Sequence, residues 1–168
     1  MPDHAGGGDP AERAAAEGFM GSLGRRRPLR RTPCVGVCST TYGDLVCRGC
    51  KRFAHEIVGW NGYQEGQREL VWARLNGLLA DSVRTVLVVV DEDRLRRIGG
   101  RLTIADAEVM PAEILAFQVL RVRPLPLDEL GLEARRAGVT SRDVGRQIDT
   151  EFYARSRAHY EASFKTLT

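Results

Sequence analysis

Four cysteines lie within seventeen residues of one another, and the chain contains no others. They are Cys34, Cys38, Cys47 and Cys50, spaced as Cys-x3-Cys-x8-Cys-x2-Cys. Thiolates are soft metal ligands, and four of them suit either tetrahedral zinc or the corners of an iron–sulfur cluster. Two close pairs on a short loop can bring four sulfurs to one point without a preformed core. The spacing therefore predicts that all four cysteines bind one metal centre.

The residues between and beside the cysteines suit such a centre. Gly36 and Gly49 lie inside the two pairs, where glycine permits positive φ and close approach of the backbone. Backbone amides in turns of this kind can donate to the sulfurs. Arg48, Lys51 and Arg52 flank the second pair and are placed to offset the negative charge of four thiolates.

The metal itself is open between zinc and an iron–sulfur cluster. A zinc ion and an oxidised four-iron cluster carry the same net charge on four thiolates, so the flanking cations do not distinguish them. The first pair has the spacing Cys-x3-Cys, which is less usual in zinc ribbons, although it lies within the known range. This spacing favours an iron–sulfur cluster, with zinc as the alternative.

Two interpretations of the cysteines need no metal centre. Cys47-Arg48-Gly49-Cys50 also has the spacing of a thiol–disulfide motif at a helix start, where the helix dipole lowers a thiol pKa. That interpretation lacks a preceding strand of the thioredoxin type and leaves the first cysteine pair unexplained. The other alternative is four reduced cysteines with no metal. Both are less favoured than a metal site.

A longer pattern surrounds the cysteines. Pro33-Cys34-x3-Cys38 is followed by Cys47-x-Gly49-Cys50-x-Arg52 and then by Glu56-Ile57-x2-Trp60. This pattern resembles the bacterial domain-of-unknown-function 1289 family over roughly residues 32–80, and the remainder resembles the C-terminal extension of its longer variants. Members are often described as predicted iron–sulfur proteins, so the resemblance implies a metal centre. It implies no catalytic activity, because none is established for the family.

The sequence predicts an α+β chain in three parts. Residues 1–31 are expected to be a disordered basic arm, residues 32–80 a small four-cysteine metal-binding loop module with a helical hairpin, and residues 83–168 a small, mostly helical α/β region. In the module, Phe53, Ile57 and Trp60 share one helix face. A second apolar stripe, on a second helix, contains Leu70, Val71, Leu75, Leu78 and Leu79.

The C-terminal region shows mixed patterns. Arg84 to Val90 is β-branched and apolar, which predicts a buried strand. Asp91 is placed to cap a helix that Gly99-Gly100 would end, and Pro111 is well placed to open another. Helices are predicted over Glu92 to Ile98, Pro111 to Leu120, Asp128 to Ala137 and Ser141 to Phe164. Because this region has its own apolar runs, its core is not expected to depend on the metal.

An arginine run precedes the cysteines. Residues 25–31 contain five arginines, more than the whole net charge of +3. As a nucleic-acid contact the run would neutralise phosphate charge, with Tyr42 or Phe53 as stacking partners. The arginines concerned are Arg25, Arg26, Arg27, Arg30 and Arg31. No aromatic residues interleave with them, so a solvated linker is favoured over nucleic-acid binding.

The remaining features limit the class of protein. The longest apolar run, Val86 to Val90, is far shorter than the ~20 residues of a membrane-spanning helix, and the N-terminus does not resemble a secretory signal. We therefore expect a cytoplasmic protein with no membrane contact. No catalytic motif accompanies the cysteines, so an enzyme is not expected. The sequence predicts an accessory iron–sulfur protein for electron transfer, sensing or docking of a protein partner. The alternative is a zinc-stabilised module that binds protein or nucleic acid.

Overall fold

The structure, a computed structural model, describes residues 32–164 and is mostly helical. The helices in that range are α1 (Ala54–Gly59), α2 (Glu65–Val86), α3 (Glu92–Arg101), α4 (Ala112–Val122) and α5 (Ser141–Phe164). The strands there are β1 (Leu87–Val89) and β2 (Leu132–Ala134), and 3-10 turns cover Ser39–Tyr42 and Trp60–Gly62. The predicted α+β class is confirmed.

The long helix α2 carries much of the core on one face. That face contains Val71, Leu75, Leu79, Val83 and Val86, all buried. Their spacing of three or four residues keeps them on a single helical stripe. Leu70, which the sequence predicted on this stripe, is 72% exposed. It lies about 100° around the helix axis from Val71, and the buried face does not extend that far.

The two strands form a small antiparallel sheet, with Leu87 opposite Ala134 and Val89 opposite Leu132. The strand predicted from Arg84 to Val90 is wrong in its first half, because α2 continues to Val86 before β1 begins. Val83 and Val86 extend the buried stripe of α2. Burial on that helical face therefore outweighs the β-propensity of branched side chains.

The helix predicted from Asp128 to Ala137 is also wrong, since this segment turns and then forms β2. Gly131 has a φ of +71° at the turn, and its carbonyl accepts hydrogen bonds from the N–H groups of Val90 and Asp91. A Cβ at Gly131 would lie 2.5 Å from the Asp91 carbonyl oxygen. The backbone of this turn therefore packs directly on the start of α3.

The helix predicted from Glu92 to Ile98 begins where the sequence places it. Asp91 caps α3 as expected, its carboxylate accepting from the N–H of Arg94 at 2.9 Å. However, α3 continues through Gly99 to Arg101 instead of ending at the glycines. A Cβ at Gly99 would lie 2.9 Å from Leu115 of α4, so this glycine permits close packing of two helices.

The last helix, α5, covers the predicted range and packs on α2 and α4. The described chain from Pro33 onward clusters as one compact unit. The boundary that the sequence predicted at residues 80–83 falls inside α2, and separate folding of its two sides stays a prediction. Within residues 32–164, none of the helices combines the length and the apolar character that a membrane crossing requires.

Candidate metal centre

The second cysteine pair lies in a tight hairpin. Val46 and Phe53 form an antiparallel bridge at its base, and the N–H of Cys47 donates to the carbonyl of Arg52 at 2.9 Å. The N–H of Lys51 donates back to the Cys47 carbonyl at 2.9 Å, and Lys51 adopts a left-handed φ of +60°. This turn fixes the backbone on both sides of the pair.

The side chain of Cys47 is fully buried. Burial raises its pKa, but the backbone N–H groups of Cys50, Ser39 and Gly49 and the neighbouring Cys50 thiol lower it. The result is a Cys47 pKa of about 7, below the ordinary value of 9.0. The thiolate, which is the form that binds metals, is therefore more populated at Cys47 near neutral pH than in an ordinary cysteine.

Cys50 lies beside Cys47 and is also buried. Burial raises the pKa of the Cys50 thiol, and the Arg52 guanidinium acts in the opposite direction. The Nε of Arg52 lies 3.4 Å from the Cys50 sulfur. The hairpin thus brings two adjacent sulfurs together with donors to each.

The loop that carries the first cysteine pair packs directly against this hairpin. A Cβ at Gly49 would lie 2.7 Å from the Val37 carbonyl oxygen and 2.8 Å from the Val35 side chain. The Cys47 sulfur lies 3.7 Å from the same carbonyl of Val37. Only glycine fits at position 49 with the two loops in contact.

The sulfurs of the first pair have more open surroundings. Cys34 is exposed and accepts from the N–H of Gly36 at 3.4 Å, while the half-buried Cys38 shares a hydrogen bond of 2.9 Å with the Thr40 hydroxyl. Within residues 32–164, no three histidine, cysteine, aspartate or glutamate side chains are grouped so as to hold one ion. The hairpin thus places Cys47 and Cys50 next to each other. That all four cysteines bind one metal stays a prediction.

The segment that forms both loops is similar to sequences outside this chain. Residues 32–78 match the family described as Protein of unknown function (DUF1289). The resemblance expected from the sequence is confirmed, and it covers under a third of the 168-residue chain. No curated protein and no solved structure matches the chain. A cysteine cluster inside a DUF1289 segment is compatible with metal binding.

Buried cations surround the cysteines of the DUF1289 segment. Lys51 is 1% exposed, its ammonium pairs with the carboxylate of Asp149, and it donates to the Gly49 carbonyl at 3.1 Å. Arg52 is 3% exposed. Arg48, the third cation expected here, is instead largely exposed and pairs with Asp44 at 2.9 Å. Two of the three flanking cations are thus buried.

Sequence reasoning missed a further ion pair next to Cys50. Arg74 of α2 lies 2.6 Å from the carboxylate of Glu56 in α1, and both side chains are largely buried. Burial lowers the pKa of Arg74, while Glu56 and, more weakly, Cys50 raise it. The Glu56 carboxylate also accepts from the N–H of Phe53 at 2.8 Å. This pair joins the end of the cysteine hairpin to α2.

The terminal helix α5 supplies contacts from outside the DUF1289 segment. The Lys51 ammonium lies 5.4 Å from the ring centre of Phe152, and the Arg48 guanidinium lies 5.4 Å from that of Tyr153. Tyr160 packs edge-on against Phe53 at 5.1 Å between ring centres. These α5 residues recur at spacings that keep them near one face, but the sequence carries no local signal for what that face contacts.

The nucleic-acid contact weighed for the arginine run lies outside the described residues. Of the two aromatic residues considered as stacking partners, Tyr42 is 90% exposed and Phe53 is buried. Phe53 is already covered by α5 and by the Arg74 guanidinium, which lies 3.8 Å from its ring centre. It is therefore not available to stack on a base.

Proposed function

We propose that the chain is an accessory metal-binding protein in which Cys34, Cys38, Cys47 and Cys50 hold one iron–sulfur cluster. The observation that carries this proposal is the buried pair of Cys47 and Cys50 in the hairpin, with the Arg52 Nε 3.4 Å from the Cys50 sulfur and backbone amides that lower the Cys47 pKa to about 7. Amides directed at a buried sulfur stabilise a thiolate, whereas a structural cysteine in an apolar core stays a thiol.

The buried charges support the same proposal. Lys51, Arg52 and Arg74 bring three buried or largely buried cations to the cysteine hairpin, and Glu56 is the buried carboxylate among them. The side chain of Asp149, which pairs with Lys51, is 53% exposed. A buried cation needs a nearby anion, because its desolvation is otherwise uncompensated. Thiolate ligands would supply that negative charge beside Arg52.

The chain's own residues have defined parts in this proposal. The four cysteine sulfurs bind, the donating backbone amides orient the Cys47 sulfur, and the packed hairpin keeps water from the second pair. The exposed Cys34 leaves one edge of the site open to a protein partner. An iron–sulfur cluster, when bound, supplies one-electron chemistry whose potential depends on such hydrogen bonds and burial. Electron transfer, sensing and partner docking all use that combination.

The iron–sulfur cluster is proposed over zinc because of the Cys-x3-Cys spacing of the first pair. Zinc on the same four ligands would stabilise the loops without redox chemistry, and the protein would then serve as a binding module for protein or nucleic acid.

The test is anaerobic purification of the full chain, followed by a visible spectrum and measurement of iron, zinc and acid-labile sulfide per chain. A variant with all four cysteines changed to serine, purified identically, is the matched control. Broad visible absorption with iron and sulfide, absent from the control, supports the cluster. A colourless protein with one zinc per chain would show that the site binds zinc and not an iron–sulfur cluster. Failure to take up either metal after reconstitution rejects a metal centre altogether.

A further inference from the structure

Arg52 is a buried guanidinium without a carboxylate partner in the described part of the chain. It is 3% exposed, yet no aspartate or glutamate of residues 32–164 lies within ion-pairing distance of it. The two other cations of the site differ, since Lys51 pairs with Asp149 and Arg74 with Glu56. An isolated buried charge is energetically costly, so a neighbour other than a carboxylate must compensate the charge of Arg52.

The sulfur of Cys50 is that neighbour. The Arg52 Nε lies 3.4 Å from it, and both groups are buried. A hydrogen bond with an ionised donor is stronger than a neutral one, and low local polarity strengthens it further. The guanidinium is therefore placed to hold the Cys50 sulfur in position and to offset negative charge at the site.

Trp60 holds the guanidinium in this position. The Arg52 Cζ lies 4.8 Å from the Trp60 ring centre, a distance at which a cation is attracted to the ring face. Arg68 uses the same ring at 5.8 Å and donates to the Trp60 carbonyl at 3.3 Å. The two arginines thus contact the same ring, but of the two only Arg52 donates to a cysteine sulfur within the described residues.

We infer that Arg52 is a positioning residue for the metal centre, donating through Nε to the Cys50 sulfur while stacked on Trp60. The inference rests on the proposed function and names the residue that fixes one ligand. Its donated hydrogen bond fixes the position of the Cys50 sulfur as a ligand, and in a redox-active centre its positive charge would stabilise the more negative reduced state. Loss of the Arg52 donor therefore weakens metal retention and lowers the reduction potential.

The test compares Arg52→Gln with Arg68→Gln, which removes a guanidinium from the same ring but leaves the sulfur contact. Wild type and both variants are loaded anaerobically with iron and sulfide or, separately, with zinc. Metal release to excess EDTA is then followed by absorbance or elemental analysis. Outer-shell partners of metal ligands typically change affinity ~10–100-fold, so Arg52→Gln should release metal faster by about that factor, with Arg68→Gln close to wild type. In iron-loaded protein, the midpoint potential of Arg52→Gln should also fall below that of Arg68→Gln.

Equal release rates and equal potentials in the two variants would overturn the role of Arg52 while leaving the metal centre intact. A wild-type protein that takes up neither metal would instead overturn the proposed function, and the role of Arg52 with it. Should Arg52→Gln not fold by far-ultraviolet circular dichroism, Arg52→Lys keeps the buried charge but lacks the planar donor. Release from a folded Arg52→Lys variant faster than from Arg68→Gln supports the inference, and release at the wild-type rate rejects it.

Discussion

At the scale of single residues, the cysteine site depends on contacts that exist only when two loops are folded together. Gly49 is the clearest case, because the space for its missing side chain is occupied by Val37 and Val35 of the other loop. The sequence shows the glycine between two cysteines. It does not show that the neighbouring loop is what excludes a larger residue.

Gly49→Ala should lower the free energy of unfolding by about 1–3 kcal/mol, the usual cost of forcing a methyl group into a packed space. The backbone carbonyl of Val37, 2.7 Å from the new Cβ, cannot yield without moving its loop. Gly62→Ala is the matched control, since nothing lies within 4 Å of a Cβ there. Chemical denaturation measures both. Equal stabilities would show that the two loops are not in contact in solution.

Cys34 gives the sharpest test of the four-ligand set, because it is exposed and its replacement by serine removes no buried group. If Cys34 is a ligand, Cys34→Ser should lose most of the bound metal and lower the thermal midpoint. Thr41→Ser, an equally conservative change at an exposed site on the same loop, should do neither. Elemental analysis and thermal melting are the measurements. Full metal content in Cys34→Ser would reduce the ligand set to three or fewer cysteines.

Asp143 predicts a pH dependence away from the metal site. Hydrogen bonds from Thr140, chiefly from its hydroxyl, and the guanidinium of Arg146 lower the Asp143 pKa from 3.8 to about 2. Because this pKa is lower in the folded state, the ionised carboxylate adds stability above pH 3.8, and this contribution is lost as the pH falls toward 2. Asp143→Ala should therefore be less stable than wild type at neutral pH, with the difference shrinking between those two pH values.

Urea denaturation at several pH values measures this difference. Thr140→Val removes the main partner of Asp143 and should weaken the same pH dependence, so the double variant should behave much like either single one. A stability difference that stays constant from pH 5 to about pH 2 would contradict the assignment.

At the scale of elements, the contact between α5 and the cysteine hairpin joins residues far apart in the chain. Lys51 and Asp149 are 98 positions apart. Local signals, such as the cap at Asp91 and the periodic apolar residues of α5, identified the start of α3 and the range of α5 correctly. They could not indicate that α5 would cover the hairpin, because that depends on the path of the whole chain. For the same reason the sequence named the cysteines but not Arg74 or Asp149.

Asp149→Ala should lower the free energy of unfolding by about 1–2 kcal/mol, because it leaves the buried Lys51 ammonium without its carboxylate. The loss stays below that of a fully buried pair because the Asp149 side chain is half-exposed. Glu151→Ala, on the same helix, removes only a surface contact to Arg155 and should change stability by less than about 0.5 kcal/mol. Adding Lys51→Met to Asp149→Ala should recover part of the loss. Equal effects of the two alanine variants would mean that the pair contributes nothing.

At the scale of the whole molecule, one hydrophobic core runs through the described chain. It includes Trp60 beside the cysteine hairpin, Val83 at the end of α2 and Ile148 of α5. The sequence predicted separate parts on either side of residues 80–83, because the apolar pattern changes there. A change of pattern marks a new element, however, and α2 crosses that point without interruption.

Unfolding of the full chain should therefore be a single transition. The two tryptophans, Trp60 and Trp72, both lie in residues 32–80, whereas far-ultraviolet circular dichroism also reports on α3, α4 and α5, which lie beyond residue 83. Tryptophan fluorescence and circular dichroism should give the same denaturation midpoint. Removal of metal by a chelator should lower both midpoints together. Separate midpoints, or loss of the fluorescence transition alone, would support the two-part division.

The end of the DUF1289 match at residue 78 falls inside α2, which continues to Val86. A 32–78 peptide would contain about two-thirds of that helix, with Val71 and Leu75 facing outward where Ile148 and its neighbours now form a common core. Such a peptide would have to cover this stripe with a second copy or a foreign helix. A protein into which the cysteine loops are grafted must therefore also provide a helical surface that covers this stripe. The loops alone would leave its apolar side chains exposed.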